Sequence, residues 1–291
     1  MTALLEGKTL SKSILDALSP RIAAFSAAAG RPPSLAVVNY FEDSPSAIYV
    51  QRKLAACARL GIRTELIKPD AGEGLAGFLK LLSRLGSDAG TDAVMIERPL
   101  PEGFETTGMW DAVPAAKDVD ALSSANMGRL FISRGGDPER AGFFVPCTAL
   151  AVIRLLKHHG IEVKGRRVAV AGRSAVVGRP LAHMLTGLDA TVTVCHTKTA
   201  DIASVFKASD IVVTAAGRAR WLKAGMLSPD CVVIDVGTNL DENGKMCGDA
   251  DFEDLNGKVK AVTPVPGGVG PVTLASLLEA SVKAAENGLR R

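Results

Sequence analysis

Short apolar runs alternate with amphipathic stretches along most of the chain. Ser34-Leu-Ala-Val-Val-Asn-Tyr40 follows Pro32-Pro33 and has the near-continuous apolar pattern of a strand buried on both faces. Arg63 to Ile67 and Asp92 to Ile96 are further strand candidates, with a helical pattern over Gly74 to Leu85 between them. Ser44-Pro45 reads as a helix start, Ser as N-cap and Pro in the first turn, and that helix is expected to reach Leu60 and stop at Gly61. In the second half, Arg167 to Ala171, Ala190 to Cys195, Ile211 to Thr214 and Val232 to Asp235 read as successive strands. Val177 to Leu188 and Asp201 to Phe206 supply crossover helices, Thr148 to His159 precedes them, and a last helix covers about Pro271 to Asn287 after a Pro/Gly-rich loop. This alternation predicts an α/β class with parallel sheets. Two α/β lobes are expected: residues 1–145 with the C-terminal helix 271–291, and a Rossmann-like lobe of residues 146–270. A ligand would sit in the cleft between them, at the carboxyl ends of the strands.

Composition narrows the function. The chain has 291 residues, 47% hydrophobic and 22% charged, which suits two folded lobes. A net charge of +3, evenly spread, argues against nucleic acid or an anionic membrane as the main partner. The most apolar stretch, Phe143 to Leu156, is broken by Pro146 and Arg154 and falls short of the ~20 residues of a membrane span. The N-terminus lacks the basic and apolar segments of a signal peptide. Five scattered cysteines with no CxxC are expected as reduced thiols in a cytoplasmic protein. Four histidines without HExxH give no support for a metal site.

One segment points to a dinucleotide. Arg167-Val-Ala-Val-Ala-Gly172-Arg-Ser-Ala-Val-Val-Gly178-Arg-Pro180 places a strand, a glycine turn and a helix start in order. The turn lets backbone approach a pyrophosphate, and the helix start presents free amides. The spacing is not GxGxxG, so a plain strand-to-helix turn remains the other reading. The tip of the next strand, Cys195-His196-Thr197-Lys198-Thr199, lacks the acid that binds an NAD ribose, and Arg173 lies in the turn beside it. A cationic, hydroxyl-rich pocket suits a 2′-phosphate, which favours NADP over NAD.

Further blocks occur in register along the whole chain: Leu5-Glu-Gly-Lys8, Ser46-Ala-Ile-Tyr49-Val-Gln-Arg-Lys53, Arg98-Pro-Leu-Pro101, Lys117-Asp-Val-Asp120, Pro146-Cys-Thr148 and Thr263-Pro-Val-Pro-Gly-Gly-Val-Gly-Pro271-Val-Thr273. Together they resemble the bifunctional methylenetetrahydrofolate dehydrogenase/methenyltetrahydrofolate cyclohydrolase (FolD) family. The resemblance implies NADP-linked oxidation of 5,10-methylenetetrahydrofolate, hydrolysis of the methenyl cation to 10-formyltetrahydrofolate, and a homodimer through the cofactor domain. It makes the first lobe the folate-binding catalytic domain. By the same resemblance Lys53, Glu97 and Asp120 stand at catalytic positions, and Tyr49, Pro99, Leu100, Gly268, Gly270 and Pro271 at substrate-binding ones. Gly172, Arg173, Ser174, Val177, Gly178, Thr197, Thr238 and Thr273 stand at cofactor-binding positions.

The chemistry is consistent with those roles. Tyr49 and Lys53 are four apart, so on a helix they share a face. Tyr49 can stack on a pterin, Lys53 can move protons at the reacting carbon, and Asp120 can accept from pterin N–H groups. The glycines would form a backbone wall beside the ligand. Taken alone, Tyr49 and Lys53 read as the edge of a helix core or a solvated face, and Asp118 and Asp120 equally as turn or capping carboxylates. Cys147 reads as a small buried residue, not a nucleophile.

The chain departs from the family at Glu97-Arg98, where Gln-Leu is usual, at Ala121, where Gly follows the second Asp, and at Ala149, where Pro follows Pro-Cys-Thr. The loop Asn39-Tyr-Phe-Glu-Asp43 also replaces a glycine-containing one. Glu97 matters most, because a carboxylate beside Lys53 favours the ammonium form, a poorer general base. Dehydrogenase activity is therefore expected to persist while cyclohydrolase activity weakens. Two rival readings remain: an NADP-dependent dehydrogenase of a small hydroxy acid on a similar scaffold, and a non-catalytic folate- or dinucleotide-binding paralogue. Lys53 and Asp120 together argue against the second.

Overall fold

The computed structural model describes residues 1–41 and 47–290. In chain order the elements are β1 (Ala3–Leu4), α1 (Lys8–Ala29), β2 (Ser34–Val38), α2 (Ala47–Leu60), β3 (Arg63–Ile67), α3 (Gly74–Ser87), β4 (Ala93–Ile96), α4 (Thr107–Asp111), α5 (Ser124–Ile132) and α6 (Cys147–His158). There follow β5 (Arg167–Ala171), α7 (Gly178–Gly187), β6 (Thr191–Cys195), α8 (Ile202–Lys207), β7 (Ile211–Thr214), β8 (Val232–Asp235), β9 (Asn239–Leu240), β10 (Met246–Cys247), α9 (Phe252–Leu255), β11 (Ala261–Val262) and α10 (Val269–Leu289). The predicted helix start at Ser44-Pro45 lies outside the described residues.

The chain forms two compact units. The cofactor-type unit comprises residues 1–12, 131–141 and 146–274; the other comprises residues 13–130, 142–145 and 275–291. This division differs from the expected one, which gave residues 1–145 to a single lobe. The reason is β1, which pairs in parallel with β11, Ala3 opposite Ala261 and Leu4 opposite Val262. The Thr2 hydroxyl adds a buried bond to the Val259 carbonyl at 2.7 Å. Two-residue strands leave no periodicity to read. The last helix also divides, since α10 is shared between the units at Leu274.

The cofactor-type unit is built on a six-stranded sheet ordered β1-β11-β8-β7-β5-β6, with every pairing parallel. β7 and β8 are wholly buried, as their runs of Ile and Val require of strands covered on both faces. β6 is the edge strand and leaves Thr191, Thr193 and Val194 exposed. The strand order reverses at β5, whose neighbours β6 and β7 lie on opposite sides, so a crevice opens at its carboxyl end. Phe206, Leu222, Val233, Leu255 and Val262 fill the core beside this sheet.

The other unit holds a three-stranded parallel sheet ordered β3-β2-β4. β2 is buried along its whole length, and α3 turns Phe78, Leu82 and Leu85 inward at helical spacing. Beyond β4 the chain returns alongside it, with Asp118 bridged in parallel to Val94. Glu97 and Asp120 are thereby carried to the same edge of the sheet. Among the described residues no helix is long and apolar enough to cross a membrane.

Candidate functional site

In the smaller sheet the site begins where β4 ends. The Glu97 amide donates to the Val38 carbonyl at 2.8 Å, which fixes the backbone and turns the carboxylate toward α2. Lys53, on α2, donates from Nζ to Glu97 Oε1. The side chains are only 13% and 6% exposed, so this is a buried ion pair and not a surface contact. Tyr49 sits one turn before Lys53 with the Arg52 guanidinium 5.7 Å from its ring centroid. Cys57, one turn after, is fully buried, and burial pushes its thiol up to about 12, with the nearby Lys53 charge acting the other way. It is inert at neutral pH.

Pro99 is exposed, and Leu100 packs on the Phe78/Met109 core. Of the two carboxylates that sequence left as capping candidates, Asp118 does the capping. It is 7% exposed and accepts from the amides of Leu122 (3.2 Å) and Ser123 (2.8 Å) and from Asn126 Nδ2 (3.1 Å). Asp120 follows on a turn closed by the Ala121 amide to the Asp118 carbonyl at 3.2 Å and is half-buried. A cavity of about 660 Å³ lined by Tyr40, Phe41, Lys68, Asp70, Pro101 and Phe104 contains none of the predicted site residues.

In the cofactor-type unit, Gly172 follows β5 with φ +141°, and a Cβ there would stand 2.4 Å from the Ala215 carbonyl oxygen. A Cβ on Gly178 would lie 2.0 Å from the Gly172 carbonyl oxygen, so both glycines are required for strand and helix to meet this closely. The Ser174 hydroxyl accepts the Val177 amide at 3.1 Å and shapes the turn. Arg173 and Ser174 are exposed there. At the tip of β6 the Thr199 hydroxyl accepts the His196 amide (2.9 Å) and His196 Nδ1 accepts the Lys198 amide (3.1 Å). That turn displays Thr197 and Lys198 to solvent. The expected basic, hydroxyl-rich rim is thus present, with no acid at the strand tip, and the residues fit a 2′-phosphorylated dinucleotide.

Gly268 is buried against its own unit, where a Cβ would meet the Pro264 carbonyl oxygen and Thr263 Cβ at 2.8 Å each. Gly270 and Pro271 lie in the first turn of α10, where a proline sacrifices no intrahelical bond, and not in the preceding loop. Thr273 uses its hydroxyl on the Val269 carbonyl at 3.2 Å, and Thr238 is exposed just beyond β8. Two residues escaped the sequence reading altogether: Asp235 and Asp249, both buried at the carboxyl end of the sheet. Their signal is faint, an acid closing an otherwise apolar strand and another following Gly248.

Comparison with known proteins is decisive on kinship. Residues 5–120 match the tetrahydrofolate dehydrogenase/cyclohydrolase catalytic domain, and residues 146–289 match the NAD(P)-binding domain of the same name. The chain belongs to the tetrahydrofolate dehydrogenase/cyclohydrolase family. It is 42% identical over 287 residues to the bifunctional protein FolD of Elusimicrobium minutum, covering 98% of this chain and 100% of the relative. Among solved structures it is similar to the FolD methylenetetrahydrofolate dehydrogenase/cyclohydrolase of Campylobacter jejuni, with TM-score 0.91, 35% identity and 99% of each chain covered. It is equally similar in fold to the Trypanosoma brucei enzyme solved with NADP cofactor and inhibitor, with TM-score 0.91, 33% identity, and 100% and 99% covered. Likeness over both full chains favours this family over the hydroxy-acid dehydrogenase reading.

Proposed function

We propose that the chain oxidises 5,10-methylenetetrahydrofolate to the 5,10-methenyl cation with NADP, and that it hydrolyses that cation to 10-formyltetrahydrofolate more slowly than it forms it. The Lys53–Glu97 ion pair carries the second half of this reading. NADP, when bound, takes the hydride. Gly172 and Gly178 let backbone approach its pyrophosphate, and Arg173, Ser174 and Thr197 present the groups that match a 2′-phosphate. Tyr49 offers its ring to the pterin, and Asp120 accepts from the pterin N–H groups to orient it. Thr238, Thr273, Pro99, Leu100 and the Gly268–Pro271 turn complete the two binding surfaces.

Hydrolysis requires a base to take a proton from the attacking water. A carboxylate beside a lysine favours the ammonium form, which has no lone pair to offer. The Glu97 carboxylate also stabilises the neighbouring cationic carbon, which lowers its electrophilicity. Hydride removal creates positive charge and gains from the same carboxylate. Glu97 therefore favours the first step at the expense of the second.

The exposed edge of β6 supports a homodimer formed through the cofactor-type unit, and five buried cysteine thiols suit a reducing, cytoplasmic setting. The test supplies 5,10-methylenetetrahydrofolate with NADP or NAD and follows reduced cofactor, and separately times hydrolysis of added methenyl substrate. NADP-linked oxidation with slow hydrolysis is expected. Glu97→Gln should raise the ratio of hydrolysis to oxidation by about tenfold. An unchanged ratio overturns the role of Glu97, and no oxidation with either cofactor overturns the function.

A further inference from the structure

Two carboxylates of the cofactor-type unit have no part in the reaction above, yet they are among its most deeply buried polar groups. Asp235, the last residue of β8, is 3% exposed, and Asp249, between β10 and α9, is fully buried. Asp249 accepts five hydrogen bonds. Its Oδ2 takes the Thr214 hydroxyl (3.0 Å) and the amides of Ala216 (2.6 Å) and Gly217 (3.2 Å). Its Oδ1 takes the Arg218 amide (3.0 Å) and Asn239 Nδ2 (2.9 Å). Asp235 accepts the amides of Gly237 (2.8 Å), Asp249 (3.1 Å) and Ala250 (2.8 Å).

The Asp249 donors come from the end of β7 and from the segments that follow β7 and β8 at the carboxyl end of the sheet. Residues 216–218 follow β7 directly and continue from Ala215, whose carbonyl abuts the Gly172 turn. Exposed Thr238 is flanked on both sides by anchored neighbours, Gly237 through its amide to Asp235 and Asn239 through its side chain to Asp249. Space for the carboxylates has been cleared as well. A Cβ on Gly237 would lie 2.3 Å from Asp249 Oδ1, and one on Gly248 would lie 1.9 Å from Asp235 Oδ2. An ionised carboxylate is the one side chain whose two oxygens both only accept, so it can satisfy donors converging from two loops at once.

We propose that Asp249 is a positioning residue for dinucleotide binding: its carboxylate locks the 216–218 and 237–239 loops in the conformation that meets the cofactor, and Asp235 secures it through the Asp249 amide. The proposal rests on the reading that this unit binds NADP. Asp249→Asn keeps the shape but turns an amide N–H₂ toward one set of N–H donors, so at least two of the five bonds are lost.

The experiment is NADP titration of the purified full-length protein by calorimetry, alongside steady-state kinetics and circular dichroism. Asp249→Asn should raise the Kd and the KM for NADP by about tenfold or more while leaving the KM for 5,10-methylenetetrahydrofolate within about twofold. Asn239→Ala, which removes one donor from a half-buried side chain, should raise the NADP Kd by about threefold and serves if Asp249→Asn does not fold. Folded variants that melt earlier but bind NADP as tightly as the wild type overturn the proposal, because a merely structural role gives that result. A wild-type protein that binds no dinucleotide overturns the NADP reading itself, and the proposal with it.

Discussion

Each unit buries a pair of charged side chains, and the two pairs are opposite in kind. Lys53 and Glu97 neutralise each other side chain to side chain. Asp235 and Asp249 are both acids, and the bonds they accept come from neutral donors: backbone amides, a threonine hydroxyl and an asparagine amide. The first arrangement leaves the local backbone to the sheet and ties one side chain to another. The second fixes backbone, at the cost of holding acids in a poorly solvated place. Chemistry on a substrate needs the former, and shaping loops around a cofactor needs the latter. Burial of charge alone therefore does not mark a reacting group; the identity of its partners does.

The largest expected effect breaks the first pair. Lys53→Met leaves Glu97 as a buried carboxylate without its cation and should cost about 3–5 kcal/mol in urea denaturation. The double variant Lys53→Met/Glu97→Gln should recover most of that loss, because no uncompensated charge remains. A double variant as unstable as the single one would show that packing of the Lys53 stem, not charge, holds α2 against β4.

Titration separates the pairs next. Burial pushes the Asp235 carboxyl up to about 7, backbone amides pull it back in part, and the Asp249 charge pushes it up again. A carboxyl whose folded value is raised binds a proton that the unfolded chain has released. Its contribution to stability is complete at pH below about 4 and is lost as pH rises toward 7. Carboxylates with lowered values, such as Asp251 beside Lys223, act in the opposite direction and below that range. Between pH 5 and 7 the cofactor-type unit should thus lose up to about 1.4 kcal/mol per pH unit in denaturant unfolding, and Asp235→Asn should flatten the slope. A flat wild-type profile would mean Asp235 is already ionised at pH 5.

A steric test is smaller. Gly237→Ala introduces a Cβ 2.3 Å from Asp249 Oδ1 and 2.5 Å from the Asp249 backbone nitrogen. Overpacking of this kind should cost about 1–3 kcal/mol in thermal or denaturant unfolding.

The same contrast explains what could be read from the chain. The strands β5, β7 and β8 were legible because Val, Ile and Ala in unbroken runs have few alternatives to a doubly covered sheet. The helix α1 was not anticipated: alanine and serine blur its apolar face, and Pro20 lies inside it. The β1–β11 pairing joins chain ends more than 250 residues apart, which no local pattern records. At the site, Tyr49, Lys53 and Glu97 were picked out by resemblance to family motifs, since spacing alone left Tyr49 and Lys53 as the edge of a helix core. Asp235 and Asp249 were not, since a short acid near glycine reads as an ordinary turn until the donors from distant loops are seen around it.

Ala121 gives the finest test, in the turn that carries Asp120. It holds φ +58°, a left-handed conformation that costs an alanine about 1–2 kcal/mol, and glycine is the usual residue after this motif. Its methyl is nevertheless fully buried, and losing it forfeits about 0.8 kcal/mol of burial. Glycine also has more backbone freedom to lose on folding, roughly 0.5–1 kcal/mol. These effects oppose one another, so Ala121→Gly should change stability by less than about 1 kcal/mol. The Asp118 cage of neutral donors remains intact in that variant, and if it holds the turn as the Asp249 cage holds its loops, the folate KM should not move. A raised KM with unchanged stability would show that the alanine methyl, and not the carboxylate behind it, sets the position of Asp120.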